Sequence, residues 1–301
     1  MPLEDEDEIS IELDGPAAAA LLAPAAKPSA TRIPAPLANT CRLEIGAATS
    51  AGRVRDRNED SLFIQHMHMA AFNKRREVAV LVVADGMGGH GAGDRASDLV
   101  ARTVGASLAS IIAAACSGIG QEPALPLLAD QVAASLKEAH RAVLQQAQKE
   151  PSCRGMGATA AVVLVWEATA LIGHVGDCRV YHQHDDKLAQ VTRDQTLVAR
   201  MVELGKLTPQ EALTHPQRNE VTQAVGRGAE LRPAAHQVKL VACDWLIIAC
   251  DGLHAHVDER MLADAILEAG PSASSLASRL IELANECGGS DNCTVVAVRC
   301  Y

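Results

Sequence analysis

Long apolar runs, paired cysteines and clustered positive charge are all missing from this chain of 301 residues. No stretch approaches the ~20 consecutive apolar residues that span a bilayer. The first residues, "MPLEDEDEIS", are acidic where a secretory signal requires positive charge. A membrane partner is therefore not expected, and a cytoplasmic location is. The nine cysteines are scattered, odd in number and form no C-x-x-C pair, so neither a disulfide framework nor a structural zinc site is indicated and a reducing compartment is expected. The formal net charge is -10, with seven acidic and two basic side chains in residues 1–40. With no basic patch elsewhere, nucleic acid is excluded as an expected partner.

What is present is enough apolar material, 48% of the residues, to bury a substantial core. Residues 1–40 run from an acidic block into an Ala/Pro-rich segment without apolar periodicity, which predicts a disordered tail. Only Ile9, Ile11 and Leu13 in "EISIELD" alternate as a strand added to a partner's sheet would. Residues 41–301 form the expected folded domain. Its strands are predicted in "RLEIGAAT", "SLFIQHM", "EVAVLVVAD", "ATAAVVLVWE", "TALIGHVGD", "CRVYHQHDDKLAQV", "HQVKLVACDWLIIACD" and "NCTVVAVRC". Helices are expected over 91–115, 124–149, 195–213, 257–269 and 272–286. Strand runs and helix pairs are segregated, which argues for an α+β fold in layers.

The stretch "VVADGMGGHGAGDRAS" matches G-x-G-x-x-G at Gly86, Gly88 and Gly91. A dinucleotide site would need a second strand ending in an acid about 20 residues on, and "GASLASIIAAACSGIG" has no acid there. A carboxylate directly before the turn would also repel a pyrophosphate. Asp85 makes sense instead as a cation ligand, because a bound dication reverses the local field. Further acids stand at the ends of apolar strands: Asp177, Asp251 and Asp291, with Glu59 and Asp60 upstream beside Arg55. Grouped at one rim of a sheet, they would repel one another unless cations lay among them. Oxygen donors without neighbouring His or Cys at ligand spacing select Mg2+ or Mn2+.

With these motifs in view, the chain resembles the bacterial metal-dependent protein phosphatases, the type 2C serine/threonine family. The matching blocks, in the family's order, are "GRVRDRNEDS", "VADGMGGHGAGDRAS", "RGMGATAAVVLV", "HVGDCRVY", "TRDQTLV", "LTHPQRNEVTQAVG", "ACDGL" and "GGSDNCTVV". The resemblance implies a central antiparallel β-sandwich flanked by helix pairs, in α-β-β-α layers, with two Mn2+ or Mg2+ ions at one end. It places Asp85 as the ligand bridging both ions, and Asp251 and Asp291 on one of them. The Gly86 carbonyl falls on the other, and Glu59 and Asp60 act directly or through water. Asp177 falls where bacterial members hold a third, weaker ion, and Arg55 where the substrate phosphate is received. The implied function is hydrolysis of phosphoserine and phosphothreonine by water activated between the ions, in a monomer that opposes a bacterial Ser/Thr kinase. The alternative is a catalytically silent relative that binds a partner.

Several residues depart from the family's pattern. Thr49 is followed by Ser50 where an acid is usual, and Met87 stands where eukaryotic members carry histidine, so leaving-group protonation falls to water or an unidentified residue. Gln195 and Gln223 replace a usual His and Arg, while Cys178 and Cys250 stand where serines are common. Alternation along a strand predicts that these two thiols point away from the neighbouring acids as packing residues. The segment 196–220, with His215 and Arg218, matches the family's flap. The pairs His66/His68, His182/His184 and His254/His256 lack a third ligand in their own segments and are expected to be surface residues.

Overall fold

The apolar runs that begin at Cys41 pair into ten strands in the computed structural model, which describes residues 41–71, 74–89, 91–117 and 123–301. The expected tail, with its candidate strand around Ile9, lies outside the described residues. In chain order the elements are β1 (Leu43–Ser50), β2 (Asp60–Ala71), β3 (Lys74–Met87), α1 (Gly93–Ser117), α2 (Leu125–Lys149), β4 (Gly157–Trp166), β5 (Thr169–Val175), β6 (Arg179–His184), β7 (Lys187–Gln190), α3 (Leu197–Glu203), α4 (Pro209–Thr214), β8 (Ala234–Lys239), β9 (Trp245–Ala249), α5 (Asp251–His254), α6 (Glu259–Glu268), α7 (Ala273–Glu286) and β10 (Cys293–Cys300). They build two five-stranded sheets in the orders β1-β10-β9-β6-β7 and β2-β3-β4-β5-β8. Every strand pair within these sheets is antiparallel.

Side-chain alternation explains the layering. In β3, Ala79, Leu81 and Val83 face Val163, Val180, Ile248 and Val296 between the sheets. The intervening Val80 and Val82 face outward onto Val100, Val104 and Leu108 of α1 and Val132 and Leu136 of α2. On the far side, Ile247 and Val295 pack under Leu262, Ile266, Leu276 and Leu280 of α6 and α7. Both faces of each central strand are thus covered, which is why "EVAVLVVAD" and "AAVVLV" read as continuous apolar runs rather than alternating ones. The expected α-β-β-α sandwich is the fold found.

Three predicted elements divide. "CRVYHQHDDKLAQV" turns back at Asp185, whose φ is 50°, to form the β6–β7 hairpin. "HQVKLVACDWLIIACD" breaks after Lys239, so that β8 and β9 belong to different sheets. The helix expected over 195–213 is cut at Gly205, where φ is +67°, and restarts at the Thr208–Glu211 capping box of α4.

Two expectations of absence also need correction. Among the described residues, Gly93–Ala113 is a helical stretch long and apolar enough, at mean hydropathy 1.2, to cross a membrane by length and composition. Its apolar face, from Ala96 through Val100, Val104 and Leu108 to Ile112, packs against the sheet. Cys41 and Cys300 are joined as a disulfide with Cα atoms 5.5 Å apart. They are 259 residues apart in the chain, so no spacing pattern could have shown the pairing, and the argument for a reducing compartment loses that support.

Leu164 is fully buried among the side chains between the β2–β8 sheet and α1/α2. Leu164→Ala is expected to cost about 2–5 kcal/mol of unfolding free energy in urea titration, and a loss below about 1 kcal/mol would contradict that packing.

Candidate metal centre

The acids meet because register brings them together. Asp60 opens β2 and lies directly opposite Asp85 of β3, and Asp85 is also opposite Thr159 of β4. The strand β3 continues through Gly86 to Met87, so Asp85 sits within the ladder rather than at its end. Asp251 follows β9 at the start of α5, and Asp291 precedes β10. Gly86 is required by close approach: a Cβ there would lie 2.1 Å from the Gly93 carbonyl oxygen and 2.5 Å from that of Glu59. The same packing sets the Glu59 backbone, whose carbonyl accepts from Gly86 N at 3.1 Å and from Ser97 Oγ at 2.6 Å.

Asp60 is the best-held member. Its Oδ2 accepts from Thr294 Oγ1 at 2.8 Å, and Thr49 Oγ1 lies 2.8 Å from Thr294 Oγ1. Asn58 Nδ2 donates to Thr49 Oγ1 at 2.7 Å. Because Thr294 spends its proton on Asp60, Thr49 must donate to Thr294, and the chain Asn58–Thr49–Thr294 ends with a donor aimed at the carboxylate. The other oxygen, Oδ1, is buried without a hydrogen-bond partner. Cys250 Sγ donates to Asp60 Oδ2 at 3.1 Å, an acid of the other sheet rather than the adjacent Asp251 that alternation was expected to turn it from. Cys178 is buried against Thr159 Oγ1 at 3.2 Å.

Sequence reasoning missed Asn292. Its Oδ1 accepts from Glu59 N at 2.8 Å, while its Nδ2 donates to the Ala51 and Arg57 carbonyls at 3.0 and 2.8 Å. One side chain thereby ties the "RDRNED" loop to the start of β10. Its place directly after Asp291 was the only local signal. Thr294, two residues further on, was missed for the same reason.

Burial is the largest influence on these acids. It pushes the Asp60 and Asp177 carboxyls up to about 7, with neighbouring carboxylates adding to the effect. Asp85 and Asp251 are raised by the same desolvation, and the two lie within hydrogen-bonding reach of each other. Glu59 is raised too, by burial first and then by Asp94, and its carboxylate sits beside Gly93. Asp177 is buried just past Gly176, whose φ of +92° makes the turn after β5. The Asp177 backbone oxygen lies 3.1 Å from His254 Nε2, an imidazole that burial pushes down to about 4. His254 is therefore no surface residue.

At the rim, Arg55 Nη2 donates to Asp291 Oδ2 at 2.8 Å, with the Arg55 side chain 53% exposed. The Asp291 bond is the main reason the guanidinium pKa is raised. Among the described residues no three His, Cys or carboxylate side chains converge closely enough to enclose an ion, since Asp291 faces Arg55 and Asp85 faces Asp251. The donor set nevertheless fits a hard dication. It is built of oxygen, and one buried oxygen, Asp60 Oδ1, has no hydrogen-bond partner.

Two departures from the family pattern have a structural role here. Gln195 Oε1 accepts from Gly176 N at 2.9 Å and Gln195 N donates to Gly176 O at 2.7 Å, so it clasps the turn that presents Asp177. Gln223 accepts from Arg232 N at 2.9 Å. Between them a groove of about 950 Å3 is lined by Arg193, Gln195, Arg200, Thr222, Arg232 and His236. The flap is anchored beside it by Leu197 N donating to Glu220 O at 2.8 Å. His215 and Arg218 pair through backbone atoms at 3.1 Å within the flap.

Comparison with known proteins agrees on one family. A protein phosphatase 2C family model matches residues 49–286. The chain is 35% identical over 257 residues to the serine/threonine protein phosphatase PstP of Mycobacterium tuberculosis, covering 85% of this chain and 45% of that protein. It thus spans about half the length of that relative. It is 30% identical over 256 residues to protein phosphatase PhpP of Streptococcus pneumoniae, covering 85% and 97% of the two chains. Its fold is similar to that of the catalytic domain of PstP in complex with two manganese ions. That match has a TM-score of 0.69 and 32% identity, covering 87% of this chain and 99% of that one.

The raised acids set a sign for stability. A carboxyl whose folded pKa lies above its unfolded value stabilises the fold at low pH, and that contribution is lost as pH rises through the folded value, here about 7 for Asp60 and Asp177. In EDTA, the melting temperature should fall between about pH 5 and about pH 8, and added Mg2+ should raise it more at the higher pH. A metal-free melting temperature that stays level or rises across this window would contradict the buried acids' shifts.

Proposed function

The chain belongs to the protein phosphatase 2C family, and from that premise we propose that it is a Mn2+- or Mg2+-dependent phosphatase of phosphoserine and phosphothreonine in proteins. The observation that carries this reading is the group of half-buried carboxylates, Asp60, Asp85 and Asp251, with Arg55 at its rim. Asp85 and Asp251 would hold the ions with Asp291, the Gly86 carbonyl would face one of them, and Glu59 and Asp60 would complete the set directly or through water. When bound, such ions would lower the pKa of a coordinated water and take up charge on the phosphoryl oxygens. Asp177 would serve a third, weaker ion.

The chain's own part is positioning. Arg55, half in solvent, offers a planar fork suited to two phosphate oxygens, and Asp291 would release it on turning inward to an ion. The Asn58–Thr49–Thr294 chain aims a hydrogen bond at Asp60 Oδ2, where Cys250 adds a second, and Oδ1 is left for other use. Met87 offers no proton two residues after Asp85, so the leaving oxygen would take its proton from water. The arginine-lined groove beside the flap is where residues flanking the phosphate would lie. Substrates are expected to be phosphoproteins, in keeping with the names of the relatives, and among them the targets of a bacterial Ser/Thr kinase.

Hydrolysis of a phosphothreonine peptide with Mn2+ tests the reading. Asp85→Asn or Asp251→Asn should lower kcat/KM by about 100-fold or more, since each supports ions supplying several kcal/mol to the transition state. No metal-stimulated hydrolysis by the wild type would favour the silent, partner-binding alternative. Arg55→Ala should raise KM more than it lowers kcat, and unchanged kinetics across substrate concentrations would remove Arg55 from phosphate binding.

A further inference from the structure

The groove beside the flap is walled by cations that the metal centre does not use. Arg193 stands in the loop after β7 and Arg200 on α3, and both grip one carboxylate. Arg193 Nη1 donates to Glu203 Oε1 at 3.1 Å, and Arg200 Nη1 donates to Glu203 Oε2 at 2.7 Å. Glu203 thereby spends both oxygens on fixing two guanidinium groups, while each of these commits a single nitrogen. Their side chains are 77% and 61% exposed, so the remaining N–H donors stay open to water. A third guanidinium, Arg232 in the segment before β8, donates from Nη2 to Glu230 Oε2 at 2.8 Å. Gln223 holds its backbone, accepting from Arg232 N at 2.9 Å and donating to Arg232 O at 3.3 Å.

Three carboxylates share this lining with the arginines, but one is already neutralised. Asp194 accepts from Arg179 Nε at 2.9 Å and from Arg179 Nη2 at 2.7 Å, so its charge is met from within the protein. Arg193, Arg200 and Arg232 then stand against Glu203 and Glu230 alone, three positive charges against two negative. A polar atom is left over as well: His236 Nε2, in the same lining, is buried without a hydrogen-bond partner, where buried polar atoms are normally bonded. Burial, with Arg193 adding to it, pushes this imidazole down from its ordinary value, and as a neutral ring it can present an N–H. The groove starts at the turn that carries Asp177, because Gln195 in its wall bonds Gly176 N and Arg179, which holds Asp194, follows Asp177 by two residues. A peptide whose phosphate lies at the centre therefore has this wall beside it.

Resting on the phosphatase reading above, we propose that Arg193, Arg200, Arg232 and His236 form a subsite for a second anionic side chain of the substrate, so that the protein selects phosphoproteins in which an acidic residue or a further phosphate flanks the phosphate being removed. Guanidinium forks suit carboxylate and phosphate oxygens alike. Their prior fixing by Glu203 reduces the side-chain freedom lost on binding. A substrate carrying lysine or arginine at the same place meets like charge and is rejected.

The test uses the full chain and phosphothreonine peptides of one length, flanked by glutamate, by a second phosphothreonine, by alanine or by lysine. With Mn2+, kcat/KM should be about fivefold or more higher for the two anionic peptides than for the alanine peptide, lowest for lysine, and the advantage should shrink with added salt. A gain with glutamate as large as with the second phosphate identifies acidic sequence as the determinant, and a gain confined to the second phosphate identifies a doubly phosphorylated segment. In an Arg193→Ala, Arg200→Ala double variant the preference should vanish; both side chains are mostly exposed, so their removal leaves the core packing in place. Fluorescence anisotropy of the same peptides in EDTA reads the subsite without turnover and should rank them in the same order. Hydrolysis of p-nitrophenyl phosphate, which is too small to reach the groove, reports the centre alone, and its absence with Mn2+ would count against the phosphatase reading. Whether or not that hydrolysis is seen, equal affinity for all four peptides would overturn the subsite, as would a preference that survives in the double variant.

Discussion

Two carboxylates face each other across a buried antiparallel ladder, Asp60 against Asp85, and much of the surrounding architecture answers to that opposition. Like charges directly opposite on neighbouring strands are destabilising even at a surface, and desolvation worsens the cost here by raising both. Asp251 adds a third acid to the same place. Only a rigid frame can hold such a group together, and the three cores supply it by covering both faces of the central strands. At the strand ends the frame becomes polar. Thr294, Thr49 and Asn58 orient one Asp60 oxygen, Asn292 anchors the loop carrying Arg55 and Glu59, and Gly86 admits the first turn of α1.

The same strands carry different donor chemistry at their two ends. One end gathers carboxylates with an arginine at the rim, an arrangement suited to hard ions and phosphate. The other end sets two imidazoles beside a buried carboxylate on each sheet, where they supply the hydrogen bonds that a buried acid needs. The separation follows from strand length, since neither donor set can reach the other across the apolar interior.

Departures from the family pattern are absorbed by backbone contacts. Gln195 makes two hydrogen bonds to Gly176, so the turn bearing Asp177 is held by an amide where an imidazole is usual. Gln223 binds the Arg232 backbone at both its amide atoms. Cys250 occupies a position common to serine and still donates to Asp60, as a hydroxyl would. In each case the replacing side chain keeps a donor or acceptor at the place where the fold needs one.

Strand and helix existence was legible because it rests on local periodicity: the apolar runs of β3, β4 and β10 and the three-to-four spacing of α1, α2 and α7 are properties of contiguous residues. The site acids were legible as types, because acids at apolar strand ends are costly and so need a reason. Breaks within runs were not, since the division of 236–251 between two sheets depends on partners far along the chain. Neither was any pairing across long separations: Cys41 with Cys300, Asn292 with Glu59, or Asp244 with the histidines of β6. By itself the sequence determined the α-β-β-α layers, the family and the acids and arginine proposed for the centre. Tertiary structure alone decided which side chains meet, because side-chain chemistry at 3 Å is set by strand register and crossover, and these are chosen by the whole core rather than by any local segment.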